Sequence, residues 1–404
     1  MSMRPIDSPL HRRSVLQLFL STGLGLSLAA CGGGSDERDK DGAAALLKTQ
    51  ADACVASGLV GVVLGQVTPT ASSVAVAGRR RQGQASAVDA QDRFAIGSNT
   101  KAMTSAAIVS QAERGGPSLS LPVSQVFAEA HPAYAQVTLS DLLHHRGGLP
   151  AFNGSGPEEG VFLAALAADT RPLPSTMTTR RAYFARWLLA QPPAAGAVPG
   201  RDFLYSNAGY VVAAAVLEAR TGRTFETLFD EALVQPLGLQ GMWRSQVPGE
   251  RDVLWGHEGL ASALTVVEAT AEARATQDWL DILGPAGHWA CTGAAYTQWL
   301  RWHVLALRGE RTPLPQAYVR DLRAASDNRY VWGWQSATTR NRVLLSHAGH
   351  VPGFMAEVVV DRGGEFALFG MSNTGHFAAD GSSWVLKTID GALAEVLKQQ
   401  SIAI

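Results

Sequence analysis

Lysine is scarce in this chain of 404 residues, which contains only five, at positions 40, 48, 101, 387 and 398. Lys101 stands alone between residues 49 and 386, although arginines are frequent throughout that stretch. An arginine side chain stays protonated in proteins and cannot act as a base, whereas a buried lysine can lose its proton. The isolated lysine therefore indicates a chemical task that arginine could not perform.

Other absences exclude whole classes of function. The formal net charge is −1 and no basic stripe extends beyond Arg79-Arg80-Arg81, so nucleic acid is not an expected partner. The chain has no Gly-x-Ser-x-Gly, the turn that carries the nucleophile of α/β-hydrolases. His144-His145 and the pair His347 and His350 lack a convincing third ligand, which disfavours a metallohydrolase. We therefore expect neither a metal nor another cofactor.

The N-terminal segment has the pattern of an export signal. Arg12-Arg13 precede an apolar run that is short for a membrane-spanning helix, and Leu28-Ala29-Ala30-Cys31 leads into a polar, glycine-rich stretch. This resembles a bacterial lipoprotein signal. We predict a signal peptide over residues 1–30, lipidation of Cys31 and a flexible tether over residues 31–44. The protein would then be lipid-anchored on the periplasmic side of a bacterial membrane, with an uncleaved anchor or an ordinary signal peptide as the alternatives.

Besides Cys31, the chain has only Cys54 and Cys291. An exported protein could bridge them. The sequence cannot place their Cα atoms within bridging distance, so the disulfide stays open.

Strand patterns occupy the two ends of the remaining chain, residues 45–404, and the middle is mostly helical. Residues 45–115 and 326–404 predict one antiparallel sheet flanked by terminal helices, which is an α+β fold. Residues 116–325 read as an inserted helical region, and the cleft between the two regions is the expected site. The predicted strands are 60–67, 73–78, 331–334, 342–345, 355–360 and 366–370; the predicted helices include 43–57, 141–145 with Ser140 as N-cap, 208–222, 225–234 and 383–399.

Ser98 and Lys101 form the first candidate pair. Phe94 to Gly97 lead into an Ala-rich helical segment, so Ser98 lies at a helix N-terminus with Lys101 one turn on. Positions i and i+3 share a helix face, and the helix N-terminus favours negative charge there. Desolvation lowers the pKa of a lysine, which suits a lysine base beside a serine nucleophile. Ser-x-x-Lys alone is a weak motif, and an incidental solvated lysine is the alternative.

Tyr205-Ser206-Asn207 is the second candidate, and it is the only Tyr-x-Asn in the chain. It precedes a predicted helix and therefore lies on a loop of the helical region. A phenol can relay a proton if nearby cations lower its pKa, and an asparagine amide can hold a substrate carbonyl. A loop tyrosine that merely packs its ring is the alternative.

The third candidate is His347-Ala348-Gly349-His350, which follows the predicted strand 342–345. His-x-Gly occurs three times in the chain, but only this copy follows a strand of the C-terminal sheet. Gly349 would permit close approach of a substrate, and a strand N–H could bind an oxyanion. His347 could be a cation, a hydrogen-bond donor or a structural residue.

Taken together, Ser98-x-x-Lys101, Tyr205-x-Asn207 and His347-x-Gly349 resemble the active-site serine penicillin-recognising enzymes. The nearest group is that of class C β-lactamases, serine D-Ala-D-Ala carboxypeptidases and family VIII esterases, and the resemblance covers about residues 45–400. It implies a β-lactamase/transpeptidase-like fold. Further stretches similar to the family's are Leu142 to Pro150, where Gly147 replaces a serine, Pro236 to Leu239 and Pro285-Ala286-Gly287.

The resemblance also implies roles for the candidate residues. Ser98 would be the acylated nucleophile, Lys101 its proton acceptor and Tyr205 the proton relay. Asn207 would bind the substrate amide, and the oxyanion would lie between the backbone N–H groups of Ser98 and His350. His347 and Gly349 would line the substrate site.

One departure narrows the expected activity. β-Lactamases of this family have Lys-Thr-Gly where this chain has His347-Ala348-Gly349. The change removes a permanent cation for a substrate carboxylate and a hydroxyl donor, which disfavours efficient β-lactam hydrolysis. We therefore expect an exported lipoprotein serine hydrolase of carboxypeptidase or esterase type, acting on a peptidoglycan peptide, an ester or a β-lactam. A penicillin-binding-type sensor or scaffold with little turnover, or a weak class C-like β-lactamase, is the alternative.

Overall fold

The computed structural model describes residues 36–154, 156–243, 254–267, 279–339, 342–400 and 402, with residues 36–41 as backbone only. The predicted signal peptide, Cys31 and the first part of the predicted tether lie outside this range. Helix α1 (Asp36–Ala56) begins earlier than the predicted residue 43, so the tether range is helical from residue 36 onward. None of the helices in the described ranges has the length and apolar character needed to span a membrane.

A seven-stranded antiparallel sheet, ordered β2-β1-β12-β11-β10-β9-β8, forms the centre of the molecule. As predicted, it joins two strands from the start of the chain to strands from its end. The pairing of β1 with β12 connects the two ends, with Val62 opposite Ser372. Its strands are β1 (Gly61–Val67), β2 (Ser72–Gly78), β8 (Tyr330–Val331), β9 (Trp334–Thr338), β10 (Val343–Val351), β11 (Phe354–Asp361) and β12 (Ala367–Ser372).

Two small sheets and a set of helices complete the described fold. The small sheets are β3-β7-β4, which leads into the Ser98 region, and β13-β5-β6. Their strands are β3 (Phe94–Ala95), β4 (Gly241–Met242), β5 (His257–Glu258), β6 (Thr265–Val266), β7 (Ala290–Cys291) and β13 (Thr374–Gly375). The further helices are α2 (Thr100–Glu113), α3 (Leu139–Leu143), α4 (Glu158–Ala168), α5 (Met177–Leu189), α6 (Asn207–Thr221), α7 (Phe225–Phe229), α8 (Gln235–Leu237), α9 (Gly284–Gly287), α10 (Gly293–Leu307), α11 (Gln316–Ala324) and α12 (Trp384–Gln399).

Both faces of the sheet are buried, which explains why its strands are apolar at successive positions. In β1, Val62 and Leu64 belong to the core under the terminal helices α1 and α12. Val63 and Val67 point to the opposite face and belong to the larger core shared with the helical region. The alternation follows from the two-residue period of a strand. The sheet thus separates two hydrophobic cores, and the candidate residues lie on the side of the helical region.

The two remaining cysteines lie in different cores and are free. Cys54 is buried under α1 and α12, whereas Cys291 is buried in the larger core on the other side of the sheet. Burial raises the pKa of each thiol to about 12. The disulfide that the sequence left open is therefore absent.

Three local predictions need correction. Helix α3 begins after Thr138 instead of Ser140, because Thr138 and Asp141 form a reciprocal capping box. The predicted strand 331–334 is a hairpin, in which Trp332 and Gly333 form the turn between β8 and β9. The predicted helix 225–234 continues to Leu237 through a π-helical turn over Asp230–Val234.

A buried ion pair fixes the helix that follows the Tyr205 loop. Arg181 on α5 is fully buried, and its Nη2 lies 2.6 Å from Glu218 Oε1 on α6. Its Nη1 lies 2.9 Å from Glu226 Oε1 on α7. Removing one partner of such a cluster leaves a buried charge uncompensated, which is strongly destabilising. Arg181 therefore holds three helices in register behind the candidate site.

A second buried cluster consists of two carboxyl groups with no cation beside them among the described residues. Glu357 on β11 and Asp390 on α12 are each nearly inaccessible to solvent. Both oxygens of Glu357 lack a hydrogen-bond partner among the described residues. Burial raises the pKa of Asp390 to about 8, and burial together with Asp390 raises the pKa of Glu357. The folded protein therefore holds these groups in their neutral form to an unusually high pH.

This pair predicts a fold that weakens as the pH rises. Between the ordinary carboxyl pKa near 4 and the raised one, the folded state binds more protons than the unfolded state, so stability falls with increasing pH. The double variant Glu357→Gln, Asp390→Asn has neither carboxyl group and therefore lacks this pH-dependent loss of stability. We expect its melting temperature, relative to that of the wild type, to increase steadily from pH 5 to pH 9. Glu395→Gln, a partly exposed carboxyl on the same helix, is the control; an equal profile for the double variant and the wild type would contradict the prediction.

Candidate active site

A tight turn places Ser98 between the end of β3 and the start of α2. The N–H of Ile96 donates to the carbonyl of Trp289 at 3.0 Å, which continues the pairing of β3 with β7. Gly97 then adopts φ +53°, and residues Gly97–Asn99 form a 3₁₀ turn. A Cβ at Gly97 would lie 2.3 Å from the backbone nitrogen of His350. Only glycine therefore allows the serine turn to lie this close to β10.

Lys101 is completely buried beneath Ser98. Its Nζ lies 2.9 Å from Ser98 Oγ, 2.6 Å from Asn207 Oδ1 and 2.7 Å from the carbonyl oxygen of Ala286. The last two atoms are carbonyl oxygens, which can only accept hydrogen bonds. A neutral amine has two N–H donors, and these two oxygens engage both. Its remaining lone pair then faces Ser98 Oγ.

The protonation state of Lys101 follows from its burial. Desolvation lowers the pKa of Lys101 well below its ordinary value. Within the described residues, its hydrogen-bond partners are a hydroxyl, an amide oxygen and a backbone carbonyl, and none is a carboxylate. The site thus favours the neutral amine, which is the form able to accept a proton.

Tyr205 approaches Ser98 from the other side. It lies directly before Ser206, the N-cap of α6, and its hydroxyl donates to Ser98 Oγ at 2.8 Å. Burial raises the pKa of Tyr205 far above its ordinary value, although the contact with Ser98 opposes the shift. A pKa lowered by nearby cations, the condition named for a proton relay, is therefore not what the structure gives. The phenol keeps its proton and is a hydrogen-bond donor in this state.

Asn207 connects Lys101 to the neighbouring loop. Its Oδ1 accepts from Lys101, and its Nδ2 donates to the carbonyl of Phe152 at 2.7 Å. Both ends of the amide are thus engaged by the protein. The structure places Asn207 in the site, while its role in binding a substrate amide remains a prediction.

The loop that carries Tyr205 is held by the segment after α3. Backbone N–H groups of the loop donate to carbonyls of this segment, from Gly200 to Arg146 at 2.7 Å and from Ala194 to Gly148 at 2.9 Å. Asn207 N–H donates to Ala151 O at 2.8 Å. The stretch Leu142 to Pro150, which is similar to a stretch of the family, therefore supports the Tyr-x-Asn loop.

The sequence predicted that the His347 motif follows the strand. The structure instead places the motif within strand β10, which runs to Val351. Gly349 pairs with Ala356 of β11, and a Cβ at Gly349 would lie 1.9 Å from the carbonyl oxygen of Ile96. The same Cβ would lie 3.0 Å from the backbone nitrogen of Ser98. Strand β10 and the serine turn are thus in backbone contact. The backbone nitrogens of Ser98 and His350 both lie at this contact. An oxyanion between them stays a prediction from the resemblance.

The side chain of His350 lies outside this arrangement. Alternate side chains of a strand face opposite sides, and Ala348, two residues before His350, packs on the core under α1 and α12. His350 Nε2 lies 3.4 Å from Glu258 Oε2, and its ring contacts Phe377 edge to face. Only the backbone of His350 is therefore available to the site.

His347 faces Tyr205, but its ring nitrogens are engaged by the protein. Its Nδ1 lies 2.7 Å from the carbonyl oxygen of Ala348, so Nδ1 carries the hydrogen. Its Nε2 lies 3.2 Å from the hydroxyl of Tyr330. The ring centroids of His347 and Tyr205 are 6.3 Å apart. Both ring nitrogens of His347 therefore have protein partners.

Two contributors were missed by sequence reasoning. The carbonyl of Ala286 binds Lys101, and the only signal for it was the resemblance of Pro285-Ala286-Gly287 to a family stretch. Tyr330 contacts His347 from the edge of the sheet, and no local pattern singled it out. Both act at a distance in sequence from the three motifs, so spacing along the chain could not reveal them.

The comparison with protein families decides the classification. The model of the beta-lactamase family matches residues 44–388. The chain belongs to the β-lactamase family.

Two curated relatives of this β-lactamase-family chain are named unguisins hydrolase. The one from Aspergillus violaceofuscus is 26% identical over 346 residues, or 76% of this chain and 57% of the relative. The one from Aspergillus campestris is 23% identical over 322 residues, which are 70% of this chain and 52% of the relative. The chain thus spans about half the length of the curated relatives it matches.

Solved structures show the same fold. The D-amino acid amidase from Ochrobactrum anthropi, in complex with L-phenylalanine amide, superposes with a TM-score of 0.66 at 22% identity, covering 90% of this chain and 99% of that one. The octameric penicillin-binding protein homologue from Pyrococcus abyssi superposes with a TM-score of 0.66 at 19% identity. The match covers 88% of this chain and 77% of that one. The predicted β-lactamase/transpeptidase-like α+β fold is confirmed. The chain thus combines membership of the β-lactamase family with a β-lactamase/transpeptidase-like fold.

Proposed function

We propose that this hydrolase forms an acyl-enzyme on Ser98 and acts on neutral amides or esters. The observation that carries the proposal is the pair of contacts at Ser98 Oγ, with Lys101 Nζ at 2.9 Å and the Tyr205 hydroxyl at 2.8 Å. One partner is an amine whose pKa burial lowers well below its ordinary value, and the other is a phenol whose pKa burial raises. A serine between a base and a proton donor is suited to attack a carbonyl.

In the acylation step, Ser98 Oγ forms a bond to the substrate carbonyl carbon while its proton passes to Lys101 Nζ. The negative charge on the former carbonyl oxygen is stabilised by the N–H groups of Ser98 and His350. The bond to the leaving group then breaks as Tyr205 donates its proton to that group. Tyr205 recovers a proton from Lys101, which restores the neutral amine and leaves the acyl group on Ser98.

Water completes the cycle. It attacks the acyl carbon, gives a proton to the Lys101 and Tyr205 pair, and the bond to Ser98 Oγ breaks as the serine regains its hydrogen. The products are a carboxylic acid and the alcohol or amine released earlier. Atoms balance without a metal or cofactor.

The substrate class follows from the charges around Ser98. His347 stands where the family's β-lactamases carry lysine, and both of its ring nitrogens have protein partners. Among the described residues that contact Ser98, Lys101 or Tyr205, no permanent cation offers itself to a substrate carboxylate. The names of the compared proteins, an amidase and two hydrolases, support an acyl substrate of this kind. We therefore favour a neutral amide or ester over a β-lactam.

A substrate panel tests the proposal. The full chain would be incubated with a short-chain aryl ester, a D-amino acid amide, a D-Ala-D-Ala peptide and a chromogenic cephalosporin, each beside Ser98→Ala. We expect Ser98-dependent turnover of the ester or of the D-amino acid amide, with the cephalosporin slowest. Fast cephalosporin turnover would overturn the neutral-substrate assignment. A stoichiometric adduct without turnover would replace the hydrolase proposal with a sensor.

We also propose that the protein is exported and anchored through Cys31. The support is the sequence pattern of residues 1–31, which lie outside the described structure. The wild type should partition into the bacterial membrane fraction, and Cys31→Ala should not. Equal partition of both proteins would remove the lipid anchor from the account.

A further inference from the structure

His145 lies immediately behind the Tyr205 loop and has an unusual backbone conformation. It follows α3, is almost completely buried and adopts φ +56°. A non-glycine residue in the left-handed region is uncommon and needs support from its surroundings. Neither the proposed chemistry nor the three motifs give His145 a task.

His145 contacts the ring of Tyr205 and both of its neighbours in the chain. Its carbonyl accepts from the N–H of Leu204 at 2.8 Å, and its Nδ1 accepts from the N–H of Ser206 at 3.0 Å. Its ring lies against the ring of Tyr205, with centroids 4.2 Å apart. One side chain and its own carbonyl thus hold the residue before Tyr205, the residue after it and the ring itself.

The hydrogen bond from Ser206 also shows that Nδ1 of the His145 ring carries no hydrogen. A backbone N–H can only donate, so Nδ1 of His145 must carry a lone pair. The ring is therefore held as an acceptor at Nδ1. Because Ser206 is the N-cap of α6, its position couples the ring of His145 to the helix that begins with Asn207.

We propose that His145 is a positioning residue that fixes the Tyr205 hydroxyl 2.8 Å from Ser98 Oγ. The inference rests on the proposed function of Tyr205 as a proton donor to the leaving group. Loss of the Nδ1 bond and of the ring contact lets the loop relax, and a displacement of about 1 Å at a reacting group costs about a hundredfold in rate. His145 does not touch the reacting atoms.

Two variants separate the parts of this role. His145→Leu removes the acceptor and the aromatic ring. His145→Asn keeps an acceptor close to the position of Nδ1 and tolerates the left-handed backbone better than most residues. We expect His145→Leu to lower kcat on an amide substrate by roughly 10- to 100-fold. His145→Asn should recover most of that loss.

The kinetic signature distinguishes positioning from a general loss of stability. If His145 acts through Tyr205, its replacement slows an amide much more than an activated aryl ester, whose leaving group needs no proton. In the Tyr205→Phe background, His145→Leu should add little further effect, as a double-mutant cycle would show. Equal losses on both substrates, or full additivity with Tyr205→Phe, would overturn the proposal.

A spectroscopic readout keeps the test independent of activity. The chain has seven tyrosines, so labelling with 3-fluorotyrosine gives seven fluorine signals, and Tyr205→Phe identifies the one from Tyr205. We expect this signal to shift in His145→Leu and to return toward its wild-type position in His145→Asn. An unmoved signal in folded His145→Leu would overturn the positioning role even if the proposed function held. A shifted signal in a protein that turns over no substrate would support the positioning and reject the function.

Discussion

Replacing Lys101 by methionine should abolish acylation of Ser98 and leave the protein folded. Methionine is similar to lysine in length and suits a site with no solvent exposure, whereas arginine would need additional volume. It has no basic nitrogen, so nothing beside Ser98 Oγ accepts the serine proton. General-base catalysis contributes up to about 10⁴-fold, and we expect a loss at that upper end for amide and aryl ester alike. Stopped-flow or quenched single-turnover kinetics measure the acylation step directly.

The matched control is Lys387→Met, which removes an exposed lysine from α12. It should acylate at the wild-type rate. Thermal melting and near-ultraviolet circular dichroism of Lys101→Met establish that the fold is intact. Acylation by a folded Lys101→Met within a few-fold of the wild type would remove lysine from the mechanism.

Replacing Tyr205 by phenylalanine should slow amide hydrolysis strongly and aryl ester hydrolysis much less. The variant keeps the ring and its contact with His145 but removes the proton that Tyr205 gives to the leaving group. An amine is a poor leaving group unless it is protonated, whereas an activated phenolate departs without help. We expect a fall of roughly 10²- to 10⁴-fold in kcat/KM for the amide. Parallel steady-state assays on the two substrates give the ratio that decides the role.

Tyr134→Phe is the control for loss of a buried phenol. Tyr134 is fully buried, and its hydroxyl has no hydrogen-bond partner among the described residues. Its replacement should leave both activities unchanged. A uniform, small effect of Tyr205→Phe on both substrates would make Tyr205 a packing residue. The contrast with Lys101→Met, which affects both substrates equally, separates the base from the proton donor.

Periodicity and turn chemistry predicted much of the fold. The final helix, expected over 383–399, is observed at Trp384–Gln399, and the strand expected over 355–360 is observed at Phe354–Asp361. These segments have strong patterns because they pack on the sheet or within it, so local sequence and tertiary burial agree. The N-cap of α3 was available to sequence reasoning as well, since Thr138 and Asp141 have capping-box spacing.

Other features depend on contacts that the sequence does not show. Strand β10 continues through His347 to Val351 because it pairs with β11 along this length, which overrides the weak strand propensity of glycine. The carbonyl of Ala286 binds Lys101, and a backbone atom gives no signal in residue type. The raised pKa of Tyr205 reflects burial and the neighbouring Tyr210, which motif spacing cannot convey.

In the candidate site, too, some features could be predicted from the sequence and others depend on tertiary contacts. The first two motifs named Ser98, Lys101, Tyr205 and Asn207, and the structure brings these four side chains into one hydrogen-bonded cluster. The sequence could not show that Asn207 would bind Lys101, because that contact joins α2 to α6 across the fold. Residue types thus indicated the chemistry, and the tertiary structure supplied the geometry.

The central claim is a covalent acyl group on Ser98, and intact mass spectrometry tests it most directly. The full chain in detergent would be mixed with an aryl ester, quenched in acid within milliseconds to seconds, and weighed beside Ser98→Ala. We predict a single addition with the mass of the acyl group in the wild type, located by peptide mapping on the segment that contains Ser98, and none in the variant. Turnover without an adduct at any quench time, or an adduct that persists in Ser98→Ala, would contradict the account.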